Sequence, residues 1–122
     1  MSKKILIVDD SDIVLRLHSY ILEGAGFQCI SAENGFAAME VLLRESFDLV
    51  ITDINMPRMN GYELTRKIRS TEGYEHIPII IISTEEEAKD KMKGMEAGAN
   101  VYIVKPAQPE NLITNVRMLL GD

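Results

Sequence analysis

Asp9 and Asp10 directly follow the apolar run KILIV at 4–8, and Asp53 directly follows FDLVIT at 47–52. Short runs of this kind read as buried parallel strands, and open α/β sheets collect their ligands at strand carboxyl ends. The three acids are therefore expected at one edge. Neighbouring carboxylates raise each other's pKa unless a cation intervenes. Oxygen ligands without a Cys or His cage suit a hard divalent ion that keeps its waters, which makes Mg2+ the expected cofactor and magnesium-dependent phosphoryl chemistry the expected activity.

Simpler roles compete at each position. Asp9, Asp10, Ser11 and Asp12 stand at a strand-to-helix junction, where any of them can cap the helix. Capping accounts for one or two acids and leaves Asp53 unexplained. Ser83 forms an S-x-x-E capping box with Glu86, and a cap and a functional hydroxyl remain equally open there. Lys105 follows the fifth apolar run, so its ammonium emerges at the same edge as the acids, as a phosphate clamp or as a solvated loop lysine. Pro106 disfavours helical backbone at Lys105 and admits a cis bond. Glu85, Glu86 and Glu87 read as a solvated helix start. His18 and His76 lack metal-ligand spacing, which leaves them packing or surface roles. There is no Gly-rich phosphate loop and no Ser/His/Asp signature.

The elements that must position these groups alternate as five βα pairs around a parallel sheet. Strands are expected at 4–8, 27–32, 47–52, 77–82 and 101–104. In the first helix Ile13, Leu17 and Ile21 predict the buried face; in the last, Leu112, Ile113, Val116, Leu119 and Leu120 do so. Gly24 and Gly26 close the first helix, Asn34-Gly35 opens the second, Asn60-Gly61 precedes the third, and Pro109 suits the first turn of the last. A fourth helix at roughly 85–96 rests its inner face on Ala88, Met92 and Met95. Such loose anchors predict the mobile element of a switch.

Composition bounds the partners. A chain of 122 residues, 46% of them hydrophobic, supports one core and not two. A net charge of -6 disfavours direct binding to nucleic acid or an anionic membrane. Cys29, the single cysteine, reads as a small buried hydrophobe in a reducing compartment. With no signal-peptide core and no membrane-length apolar stretch, a cytosolic location is expected.

ILIVDDS at 5–11, LVITDINMPRMNGYEL at 49–64, PIIIIST at 78–84 and GANVYIVKP at 98–106 closely resemble, in order and spacing, the receiver domains of two-component response regulators. The resemblance spans residues 1–122 as one domain. It implies a flavodoxin-like, doubly wound five-stranded parallel sheet in the order 2-1-3-4-5, with five helices on both faces. By the same resemblance Asp53 accepts a phosphoryl group from a sensor histidine kinase or phosphotransfer protein. Asp10 ligates magnesium directly, Asp9 acts largely through water, and the backbone carbonyl of Asn55 completes the set with Asp53. Lys105 neutralises a phosphoryl oxygen, Ser83 supplies the switch hydroxyl, and Tyr102 is the aromatic that turns inward with it.

The implied role is a signalling switch that catalyses only its own phosphorylation and dephosphorylation. The added charge of roughly -1.5 to -2 shifts the fourth helix, and a downstream effector protein reads the change. Thr84 stands where Ala or Gly is common in the family, and predicts a narrowed path for hydrolytic water and slower self-dephosphorylation. Ala107 replaces a frequent aromatic, which makes the fourth-to-fifth-helix face less aromatic. The chain stops at Asp122 after its last helix, which fits a stand-alone regulator or a receiver fragment of a longer regulator or hybrid kinase. A magnesium-dependent phosphatase would need a second acid at position 55, where Asn55 stands. A degenerate, unphosphorylated module would have lost acids, hydroxyl or lysine, and all are present.

Overall fold

The computed structural model describes residues 2–121; Met1 and Asp122, the outermost positions of the expected domain, lie outside them. Five strands, β1 (Lys4–Val8), β2 (Gln28–Ala32), β3 (Leu49–Thr52), β4 (Ile79–Ser83) and β5 (Val101–Val104), alternate with five helices. These are α1 (Asp12–Gly24), α2 (Gly35–Arg44), α3 (Gly61–Arg69), α4 (Ala88–Ala97) and α5 (Pro109–Leu120). All strand pairs are parallel, in the order β2-β1-β3-β4-β5. The expected doubly wound architecture is the one observed.

The apolar runs of β1, β3 and β4 are continuous because both sheet faces are covered. Leu6, Val8, Val50, Ile79 and Ile81 meet Leu42 of α2 and Leu64 and Ile68 of α3 on one face. Ile5, Ile7, Leu49, Ile51, Ile80 and Ile82 meet Leu15 and Leu22 of α1 and Leu112 and Val116 of α5 on the other. Cys29 packs half-buried at the edge of this second core, and burial pushes its thiol up to about 12.

Local chemistry sets the helix starts. The Asn34 side chain accepts from Ala37 N–H at 2.8 Å to cap α2, and Asn60 forms a capping box with Glu63 at α3. Pro109 occupies the first turn of α5.

Two expected faces differ. In α1 the buried residues are Leu15, His18 and Leu22, with Ile21 half-buried, whereas Ile13 and Leu17 are 79% and 52% exposed. Two apolar stripes share this helix, and the histidine in the buried one disguised it. In α4 the buried residues are Gly94 and Ala97, whereas Ala88, Met92 and Met95 are exposed. A Cβ on Gly94 would lie 3.1 Å from both Ile81 Cδ1 and Tyr102 Cδ2, so the aromatic leaves room only for small residues and the methionines turn outward. The α4 helix also starts at Ala88 rather than 85, with Glu87 at its N-cap and no side-chain cap. Glu85 and Glu86 therefore belong to the β4–α4 loop, and the Ser83–Glu86 capping box does not form.

Candidate functional site

Register brings the acids together. Val8 pairs with Thr52, Asp53 N–H donates to the Val8 carbonyl at 2.9 Å, and Asp9 N–H donates to the Ala32 carbonyl at 3.1 Å. Asp9 and Asp53 thus leave adjacent central strands at the same level. With Asp10 they offer one carboxylate oxygen each, all within 4.8 Å of one another. Asp9 and Asp53 are buried, and Asp10 is exposed.

Ser83 pairs with Val104, and Lys105 N–H donates to the Ser83 carbonyl at 2.8 Å, which carries the lysine to the same edge. Its Nζ donates to Asp9 Oδ2 at 2.8 Å and lies 3.4 Å from Asp53 Oδ1. The Lys105–Pro106 bond is cis. Burial raises the Asp53 carboxyl above its ordinary value; the Lys105 ammonium opposes the shift and the Asp9 charge adds to it. The second Asp9 oxygen accepts from Ser11 N–H at 2.9 Å, while Ser11 Oγ accepts from Val14 N–H to cap α1. Capping and cation-holding groups therefore coexist at this junction.

Ser83 is fully buried, and its Oγ accepts from Glu85 N–H at 3.1 Å. Thr84, next to it, is exposed. The Tyr102 hydroxyl donates to the Glu85 carbonyl at 2.7 Å, and its ring packs against the α2–α3 core. Asn55 is exposed, and its Nδ2 donates to Glu85 Oε1 at 3.1 Å. His18 is buried on α1, where burial, reinforced by Lys105 and opposed by Asp9, lowers its pKa. His76 is exposed.

Sequence reasoning missed three participants. Gly61 begins α3 with its Cα so close to the Asp53 backbone that a Cβ would lie 2.1 Å from the Asp53 carbonyl oxygen. Its Asn-Gly dipeptide was visible as a helix start, but not this approach. Thr52 Oγ1 donates to the same carbonyl at 2.9 Å, which holds the strand end from which Asp53 projects. Glu85 bridges the loops after β3 and β4, a pairing without local signal.

Known proteins resemble this chain in sequence and in fold. A chemotaxis protein CheY homolog of Campylobacter jejuni is 39% identical over 120 residues, 97% of this chain and 92% of that one. The structure of Vibrio cholerae chemotaxis protein CheY4 superposes with a TM-score of 0.94 at 33% identity, covering 98% of this chain and 100% of that one. The receiver domain of sensor histidine kinase PA1611 from Pseudomonas aeruginosa, with magnesium coordinated in its active site cleft, gives 0.92 at 25% identity over 100% of both chains. Other curated relatives are transcriptional regulatory proteins, and the chain spans about half their length, 52% and 48% in two of them. Residues 5–117 match the model of the response regulator receiver domain, and the chain belongs to that family.

Proposed function

We propose that residues 1–122 form one receiver domain that takes a phosphoryl group onto Asp53 and signals by changing shape. The observation that carries this reading is the meeting of Asp9, Asp10 and Asp53 oxygens within 4.8 Å, with the Lys105 ammonium shared between Asp9 and Asp53. The donor set is all oxygen, which fits a hard cation; the magnesium in the cleft of the PA1611 receiver supports Mg2+ as that cation. Asp10, Asp53 and the Asn55 carbonyl would hold it, with Asp9 acting through water. When bound, such an ion neutralises charge on the phosphoryl oxygens.

The remaining work falls to the chain's own groups. An Asp53 carboxylate oxygen attacks the phosphorus of a phosphohistidine; the new P–O bond forms as the P–N bond breaks, and the histidine nitrogen leaves with the electron pair. Lys105 neutralises another phosphoryl oxygen in the loose, in-line transition state. The buried Ser83 hydroxyl donates to a phosphoryl oxygen, releasing Glu85 N–H, and Tyr102 follows the moving β4–α4 loop. Thr84, exposed beside Ser83, limits water. The chain is a switch, and its chemistry is confined to its own aspartate.

The phosphoryl donor is a sensor histidine kinase or phosphotransfer protein. Ile13, Leu17 and Tyr20, exposed at i, i+4 and i+7 on α1, the helix that follows Asp9 and Asp10, suit an apolar contact with it. The readout is a downstream protein. Among the described residues no helix is long and apolar enough to cross a membrane. The half-length match to transcriptional regulators favours, as a second reading, the receiver portion of a longer regulator. Incubation with Mg2+ and acetyl phosphate followed by intact mass tests the proposal: a receiver gains one phosphoryl adduct, a phosphatase turns the donor over, and a degenerate module does neither.

A further inference from the structure

The segment from Ile54 to Gly61 leaves Asp53 and returns to α3 through two three-residue turns. Met56 N–H donates to the Ile54 carbonyl at 3.0 Å, and Met59 N–H donates to the Pro57 carbonyl at 2.8 Å. The Ile54 carbonyl also accepts from Gly61 N–H at 2.9 Å, closing the loop at its base. Arg58, at the centre of the second turn, has φ 71°, the only positive value at a non-glycine among the described residues. A three-residue turn of this hand is rare and strained, and a Cβ adds to the cost. Such backbone persists only where its surroundings hold it.

The start of α2 makes two contacts with this loop. The Arg58 guanidinium sits 4.7 Å from the centroid of the Phe36 ring, within cation–π range. Met59 lies against Gly35, where a Cβ would meet its Sδ at 2.6 Å. Phe36 is 47% exposed and outside both cores, so burial does not account for an aromatic there.

We propose that Phe36 is a positioning residue: its ring holds Arg58 in the left-handed conformation and thereby sets the path of residues 55–57, which present the Asn55 carbonyl to the metal. The inference rests on reading Asp9, Asp10, Asp53 and Asn55 as the metal set. Phe36 reaches the ion only through Arg58 and the loop backbone. An arginine at a position that favours glycine is tolerable because an aromatic stands opposite it.

Calorimetric titration of the whole chain with Mg2+ alone, in wild type, Phe36→Ala, Phe36→Tyr, Arg58→Gly and the Phe36→Ala/Arg58→Gly double variant, tests this. Phe36→Ala is expected to weaken Mg2+ binding by roughly threefold or more, and Phe36→Tyr to keep it, since a tyrosine face also attracts the cation. Arg58→Gly and the double variant are expected to bind as wild type, because glycine takes positive φ without steric cost. That recovery is a coupling a plain packing role would not produce. Wild-type affinity in Phe36→Ala, or a double variant as weak as Phe36→Ala, overturns the inference alone. A wild-type chain that takes up no Mg2+ overturns the metal reading itself, and the inference with it.

Discussion

The Tyr102 hydroxyl donates a 2.7 Å hydrogen bond to the backbone carbonyl of Glu85, which ties β5 to the loop that carries Thr84 directly after Ser83. The same ring lies against Gly94. One side chain therefore touches both the loop at the site and the helix beyond it. Tyr102→Phe removes the tether and keeps the ring, so amide exchange at residues 84–88 is expected to speed up by roughly fivefold, the equivalent of one neutral hydrogen bond. Unchanged exchange there would show that the hydroxyl does not restrain the loop.

Arg69 fastens the end of α3 to the opposite edge of the sheet. Its Nη1 donates to the Ile77 carbonyl at 2.6 Å, Nη2 to Asn100 Oδ1 at 2.9 Å and Nε to the Gly98 carbonyl at 3.0 Å. Arg69→Ala is expected to cost about 2–4 kcal/mol in urea unfolding, because it orphans carbonyls that a charged donor satisfied. Arg69→Lys should recover only part of this, since a point ammonium cannot copy the fork. Full recovery by lysine would refute the geometric role.

Burial, with the Lys105 ammonium adding, holds the His18 imidazole below its ordinary 6.5, against a weaker upward pull from Asp9. Below 6.5 the unfolded chain binds a proton at residue 18 that the folded chain accepts only at lower pH. Stability contributed by neutral His18 is therefore complete above that value and declines as pH falls towards the folded pKa. His18→Gln should lose less stability than wild type on mild acidification, measured as the shift of the urea midpoint. Equal losses would show that His18 does not titrate differently in the two states.

Thr84 is exposed beside the buried Ser83. If it narrows the approach of hydrolytic water, Thr84→Ala shortens the lifetime of the phosphorylated chain severalfold at unchanged phosphorylation rate. Decay followed by intact mass after donor removal reads this directly, and an equal lifetime would remove Thr84 from the account.

Strands and acids were legible because each rests on local pattern. IPIIII reads by its length and β-branched content as a strand covered on both faces, and β4 forms from Ile79; an Asp after such a run emerges at its carboxyl end. The face of α1 was not legible: Ile13 and Leu17 lie four residues apart and Leu15 and Leu22 seven apart, both spacings of one helical face, and only the sheet decides which pair turns inward. The face of α4 depended on Tyr102 of the following strand, against which Gly94 lies buried while Met95 is exposed. Gly61 against Asp53, Glu85 against Asn55 and Phe36 against Arg58 are likewise tertiary meetings, invisible until the chain folds.

The central claim concerns one carboxylate. Wild type and Asp53→Asn, each incubated with Mg2+ and acetyl phosphate and weighed intact, decide it. The account predicts a single phosphoryl adduct on wild type and none on the variant; the same adduct on Asp53→Asn would contradict it.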